Sequence, residues 1–492
     1  MSKLSLNKGG RACSDKKRKM NALVSNDRLQ DDHLILRESP ATGEVVSREH
    51  SHDRDQCLRF AARAAAAFPR WSATPAVERA EHLVAVAALL EERADSFRLA
   101  MIEETGAPVK WATHNITFAA RLLRGVASYA GLLDQPEIIH DENGFVSRVE
   151  RAPCGVCLGI TPWNAPLILG MRAIAAPLLC GNTVLLKGNE FAPRTFRLLG
   201  EAVRDAGIGE DVARVLICPE DESEAIVDAL IETPVVRRIN FTGSTRVGRR
   251  VAELCARHLK RPLLELGGQA PMLVLQNADL DLAAKAAASG GYLNQGQVCM
   301  STERIIVDDV VADDLIERID ALRTGLTLGD PTDPTSDLGP VINISAAERL
   351  SGLVSDAISK GARLVGGGTM GDAFFQPTLL DRVEPDMRLY NEEAFGPILS
   401  VTRVRNGEEA VTVANDSEYG LAASVYCRDV RRAESVARQI HTGICHINRS
   451  TVDDDPHAPF GGVKSSGYGR FGGRWALDEF TELRWISCTA GS

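Results

Sequence analysis

Between Gly155 and Glu265 the chain alternates short apolar runs with amphipathic ones, and few folds accept that order. The expected strands are Val156–Ile160, Thr183–Leu186, Ala213–Ile217, Arg238–Phe241 and Pro262–Leu264. The expected helices between them are Pro166–Leu179, Thr195–Ala206, Glu222–Ile231 and Arg246–Cys255. Repeating units of this size imply an α/β fold with a parallel sheet of Rossmann type. No G-x-G-x-x-G turn is present within this repeat. Gly243-Ser244-Thr245-Arg246-Val247-Gly248 instead leads into a helix whose first amides can face a pyrophosphate, although a Gly-Ser-Thr start is commonly only a cap.

A second stretch, Gly290 to Arg304, holds a cysteine in a setting suited to reaction. A free thiol with a pKa of about 8.5 is only slightly ionised near neutrality, so a nucleophilic cysteine needs help from its surroundings. The uncharged run Ala286–Gln297 reads as a helix ending just before Cys299, which places the thiol at a loop mouth. The competing reading is a small buried hydrophobe. Two further stretches bear on the choice. Leu264-Glu265-Leu266-Gly267-Gly268 sets one carboxylate in an apolar segment before two glycines, although alone Glu265 could equally be a solvated strand end. Thr161-Pro162-Trp163-Asn164-Ala165-Pro166 fixes a loop between two apolar runs and offers the Asn164 amide, in a setting where asparagine is also a common turn residue.

Length and charge limit the alternatives. A chain of 492 residues divides into two or three domains, and a net charge of -10 disfavours a general nucleic-acid or anionic-membrane role. Eleven scattered cysteines without a framework suggest a reducing compartment, hence the cytoplasm. Cys154 and Cys157 form a C-x-x-C pair, but no second pair or histidine cluster accompanies them and no metal site is expected. The uncharged run Ala152–Met171 is broken by Pro153, Pro162 and Pro166, so no membrane span is expected either. Residues 1–32 are basic with hardly any apolar pattern and are expected to be a disordered tail, with Met20 a candidate alternative start.

The three stretches together resemble the aldehyde dehydrogenase superfamily, from about Ser39 to Ile486. The likeness rests on Pro162-Trp163-Asn164, Lys187 with Glu190, Phe241-Thr242-Gly243-Ser244-Thr245, Leu264 to Gly268, Gly296-Gln297-Val298-Cys299, Glu392 to Pro397 and Pro459-Phe460-Gly461-Gly462, in the family's order. Asn294 to Arg304 and the ending Ser466 to Gly473 with Glu479 to Trp485 look like the vanillin, salicylaldehyde and benzaldehyde dehydrogenases. The resemblance implies an NAD-binding domain over 33–130 and 150–265, a catalytic domain over 266–441, a bridging oligomerisation element over 131–149 and 465–492, and a cleft segment over 442–464. A final strand near Phe480–Ile486 would then join a neighbouring subunit in a homodimer or homotetramer. Outside the Rossmann repeat, helices are expected from Ala61 to Leu90 as a pair split near Trp71–Pro75, then Glu91–Thr105, Thr113–Leu133 and Leu280–Leu293. Further strands are expected at Gly144–Arg151 and Arg304–Val307.

By the same resemblance the cofactor is NAD. Its contacts are expected at Ile160, Thr161, Pro162, Trp163, Phe241, Gly243, Ser244, Gly248, Leu266 and Gly267, with Lys187 and Glu190 on the adenosine ribose and Glu393 and Phe395 on the nicotinamide side. A carboxylate at Glu190 accepts hydrogen bonds from a 2′-OH and repels a 2′-phosphate. Gly188 and Asn189 depart from the family's usual proline and small residue. The implied reaction is oxidation of an aldehyde to the acid, with Cys299 as nucleophile, Asn164 as oxyanion donor and Glu265 as the base that activates water. Trp111, Ala165, Ile168, Arg172, Met300 and Phe460 are expected around the substrate. Arg172, with Trp111, could meet a ring hydroxyl or methoxy group, or it could be a salt-bridged surface residue. The leading substrate is a vanillin- or salicylaldehyde-like ring. The alternatives are an aliphatic or semialdehyde substrate on the same fold, and a non-catalytic binding or structural relative.

Overall fold

The computed structural model describes residues 34–142 and 145–489; the basic tail and Gly144 lie outside them. A six-stranded sheet is built in the order Gly467–Tyr468, Arg261–Glu265, Val236–Thr242, Val156–Ile160, Thr183–Lys187, Ala213–Leu216. All its neighbours are parallel except Gly467–Tyr468. Val156–Ile160 and Thr183–Lys187 are buried along their whole length because helices cover both faces, which is why they read as unbroken apolar runs. Chain order reverses direction between Val156–Ile160 and Val236–Thr242. A crevice opens beyond the carboxyl ends of strands at such a reversal, and the loops 161–165 and 243–244 emerge there.

The flanking helices are Arg54–Ala73, Ala76–Glu92, Ala94–Thr105 and Val109–Ala127. The first starts at a capping box between Asp53 and Gln56. The last begins at Val109 rather than Thr113, because Pro108 in extended backbone launches it, and it ends at Ala127 before a separate turn at Ala130–Leu132. It packs closely against Pro166–Leu179, the helix that follows the first strand of the sheet.

A second sheet runs in the order Arg363–Gly371, Phe374–Asp381, Ile398–Val404, Thr302–Asp308, Ala270–Val274, Ala422–Tyr426, Ile444–Ile447, parallel except for its first pair. Its last strand lies beyond residue 441, and Gly467–Tyr468 ties the segment after 465 to the six-stranded sheet. The third sheet is antiparallel, in the order Thr481–Thr489, Phe145–Pro153, Glu137–Glu142. Thr481–Thr489 is an edge strand carrying Leu483 and Trp485 at 69% and 72% exposure.

The largest departure from expectation precedes Cys299. The helix is Leu280–Tyr292, and Leu293–Gly296 is a tight turn in which Asn294, Gln295 and Gly296 take φ values of 49°, 56° and 67°. Consecutive left-handed residues end a helix abruptly, so the helix does not continue to Gln297. Glycine is required at 296: a Cβ there would lie 2.1 Å from the Gly396 carbonyl oxygen. Among the described residues no helix is long and apolar enough to cross a membrane.

Candidate active site

Asn164, Glu265 and Cys299 come from three distant parts of the chain and line one cavity of about 330 Å³. Asn164 sits on the loop after the strand Val156–Ile160, Glu265 ends the strand Arg261–Glu265 two places along the same sheet, and Cys299 follows the left-handed turn. The sheet places the first two, and the turn brings up the third.

Each group is held. The Asn164 side-chain amide donates to the Gln297 carbonyl at 2.9 Å, which fixes the amide plane and uses one of its two N–H donors. The Asn164 backbone carbonyl accepts from the Trp111 indole at 2.9 Å and from the Asn294 amide at 3.2 Å. Gly268 admits the Cys299 backbone: a Cβ on it would lie 2.3 Å from the Cys299 carbonyl oxygen. Glu265 is 1% exposed, and among the described residues neither carboxyl oxygen makes a well-formed hydrogen bond, the Cys299 thiol being its close polar neighbour. Burial pushes its pKa up to about 7, against the partial opposing pull of the Cys299 thiol and Arg172. Burial first and the nearby Glu265 second push the Cys299 thiol well above its ordinary range. The arrangement therefore holds a protonated thiol beside a carboxyl poised to change state near neutrality.

A cavity of about 510 Å³ adjoins the first and is lined by Ile160, Thr161, Pro162, Trp163, Lys187, Glu190, Phe241, Gly243 and Ser244. The Lys187 ammonium pairs with Glu190 at 2.9 Å where the strand Thr183–Lys187 ends. Ser244 caps the helix Thr245–Arg257, whose amino end closes this wall. Leu266, Gly267, Glu393 and Phe395 line the smaller cavity instead. The Gly268 N–H donates to Glu393 at 2.9 Å, and a Cβ on Gly267 would lie 2.4 Å from that carboxylate. Phe395 takes a φ of 43° and meets Trp163 edge-on at 6.0 Å. A carboxylate at each end, a helix amino terminus between them and glycines that leave the walls open fit an elongated dinucleotide. Gly248 lines neither cavity; a Cβ there would strike Leu266 at 2.3 Å, so its part is close packing of helix on strand.

A third cavity, of about 240 Å³, opens from the other side of Asn164 and Cys299. Trp111, Ala165, Ile168, Arg172, Met300 and Phe460 all line it, each of them buried. Arg172 is 6% exposed, which removes the surface alternative. It is salt-bridged nonetheless, to Asp454 at 2.5 Å, and its guanidinium carbon lies 4.0 Å from the centre of the Phe460 ring. Trp111 meets the chamber beside it. Its indole N–H is used by the Asn164 backbone, so toward a ligand it offers ring surface and no donor.

Cys299 and Asn164 thus stand where a dinucleotide-shaped space and a small, mainly apolar chamber meet. The sequence profile of the aldehyde dehydrogenase family matches residues 29–486. The chain belongs to the aldehyde dehydrogenase family. It is an oxidoreductase of aldehyde dehydrogenase type, in a family that uses NAD(P). Vanillin dehydrogenase of a Pseudomonas species is 49% identical to it, covering 94% of this chain and 95% of its own length. The crystal structure of a salicylaldehyde dehydrogenase from Pseudomonas putida, complexed with salicylaldehyde, superposes with a TM-score of 0.91 at 44% identity, covering 93% of this chain and 95% of that one. A succinate-semialdehyde dehydrogenase [NADP(+)] of Deinococcus radiodurans is 39% identical, covering 91% of this chain and 93% of its own length.

Three supporting residues of this aldehyde dehydrogenase escaped the sequence reading. Glu303 is buried, and its carboxylate accepts the Ala394 and Phe395 N–H groups at 2.8 Å each, anchoring the Glu393–Phe395 loop. An adjacent acid and base, Glu303 and Arg304, entering a strand whose centre is apolar were the available signal. Gln297 orients Asn164 through its carbonyl and accepts the Ile342 N–H at 2.9 Å through its side chain. Asp454 stands in the run Asp453-Asp454-Asp455, and nothing local links it to Arg172.

Proposed function

We propose that this enzyme oxidises a neutral aromatic aldehyde to its carboxylic acid with NAD, through a covalent intermediate on Cys299. The observation that carries the reading is the meeting of the Cys299 sulfur and the Asn164 amide at the wall shared by the two cavities, with the Glu265 acid lining the first of them. The Cys299 thiol gives up its proton to solvent and the sulfur attacks the carbonyl carbon, giving a thiohemiacetal whose oxygen carries the charge. The oxygen takes the second Asn164 N–H and the Cys299 backbone N–H, and single donors of this kind are typically worth about 10²–10³ in rate. When bound, the nicotinamide supplies the hydride acceptor that takes this adduct to the thioester. Glu265, ionised above its raised pKa, then accepts a proton from the water that releases the acid.

Glu190 and Glu393 are the groups proposed to hold the two riboses, and the amino end of the helix Thr245–Arg257 the pyrophosphate. The preference for NAD rests on Glu190. Its carboxylate accepts from sugar hydroxyls and repels a 2′-phosphate.

The aromatic substrate is supported by the chamber and by the relatives. Trp111, Ile168, Met300 and Phe460 are apolar walls suited to a flat ring, Ala165 leaves room beside Asn164, and the buried Arg172–Asp454 pair offers polar contact to a hydroxyl or methoxy group. Relatives named for vanillin and salicylaldehyde agree with that chemistry. The test is kcat/KM on a panel of vanillin, salicylaldehyde, benzaldehyde, hexanal and succinic semialdehyde, each with NAD and NADP. The reading requires the ring aldehydes with NAD to lead, and a lead for succinic semialdehyde overturns it.

A further inference from the structure

We propose that Asp454 is a specificity-determining residue which neutralises Arg172 inside the substrate chamber and so excludes aldehydes that carry a carboxylate. This rests on the reading of the chamber given above. Arg172 projects from Pro166–Leu179, a helix buried at every position, into a largely apolar cavity. A guanidinium held there without a counter-ion would attract a carboxylate strongly, because the planar fork matches two oxygens and little water competes. Asp454 supplies the counter-ion from within the protein, with its side chain only 13% exposed.

The contact is incomplete in an informative way. It is made through one terminal nitrogen, while among the described residues the buried Arg172 Nε has no partner, and the flat face rests on Phe460. A neutral ring can lie against this pair without disturbing it. An anionic substituent must come up against Asp454. The approach reinforces this: Asp454 also lines an outer vestibule of about 510 Å³, together with Asp453 and Asp455. The vestibule cations are engaged, Arg449 with Asp453 and Arg121 with the Asp454 backbone and the Phe118 ring. At the chamber itself Lys110 pairs with Asp337 at 2.7 Å.

The experiment compares 4-carboxybenzaldehyde with benzaldehyde, rings that differ by one charge, and takes the ratio of their kcat/KM values with NAD in the full-length enzyme. In Asp454→Asn the ratio is expected to rise at least about tenfold, chiefly through KM for the charged aldehyde. Asp454→Glu should hold the ratio near the parent value. Arg172→Gln, which leaves the acid unopposed, should lower it, and the double variant Arg172→Gln/Asp454→Asn should return it toward the parent. A ratio unmoved in folded Asp454→Asn overturns the proposal. If that variant does not fold, an unchanged or raised ratio in Arg172→Gln overturns it. A parent enzyme that oxidises neither aldehyde refutes the functional reading itself, whereas an active parent whose ratio ignores these substitutions refutes only the role of Asp454.

Discussion

Replacing Glu265 by glutamine keeps the size of the side chain and removes its capacity to take a proton. Two consequences follow from one buried carboxyl. The first is kinetic. Without the base the thioester persists, so a rapid burst of NADH should be followed by steady turnover lowered by about 10²–10⁴. The parent's turnover should climb through pH 7, where Glu265 ionises, and the variant should lack that limb. The second is energetic, and its sign is the less intuitive part. The pKa is raised from 4.5 to about 7, so between those values the folded chain keeps a proton that the unfolded chain has released. Stability is therefore fully present below pH 4.5 and lost as pH rises through 7. At about 1.4 kcal/mol per pKa unit the loss amounts to about 3 kcal/mol. Glutamine carries no such loss, so the variant should match the parent near pH 4 and exceed it by up to about 3 kcal/mol near pH 8.5. Denaturant midpoints at both pH values, read beside stopped-flow NADH traces, test the pair of effects. A variant with undiminished steady turnover, or a stability difference that does not grow with pH, would refute the reasoning.

Cys299→Ser should abolish oxidation while binding cofactor normally by fluorescence titration, and Asn164→Ala should lower kcat by about 10²–10³ with cofactor affinity little changed. Glu190→Ser, which removes the carboxylate beside Lys187, should raise kcat/KM for NADP relative to NAD; an unaltered ratio would show that Glu190 does not set the choice. Gly296→Ala forces a Cβ into the Gly396 carbonyl and should lower thermal stability and activity together, whereas Gly325→Ala, at a helix end with looser surroundings, should change both little.

The parallel sheet was legible because burial on both faces leaves a continuous apolar signature, as in Val156–Ile160 and Thr183–Lys187. The turn before Cys299 was not, since Asn294 and Gln295 adopt left-handed backbone that neither residue type demands; their strain is held by packing from elsewhere. Two-residue strands such as Gly467–Tyr468 carry no period at all. Cys299, Glu265 and Asn164 could be named as candidates because each stands in a distinctive local motif, and the structure brings the three to one cavity. The Arg172–Asp454 pair could not, because its partners lie in remote segments and each alone reads as an ordinary charge.

One bond described above bears on how such an enzyme could be remade. The Trp111 indole supplies a wall of the chamber and, through its N–H, steadies the backbone that carries Asn164. Trimming that wall to admit a bulkier guest would loosen the amide donor in the same stroke. Breadth of diet and speed are therefore yoked at this residue, and a lineage or an engineer widening the chamber has freer choice at Ile168 or Met300, where no such tie to Asn164 exists among the described hydrogen bonds.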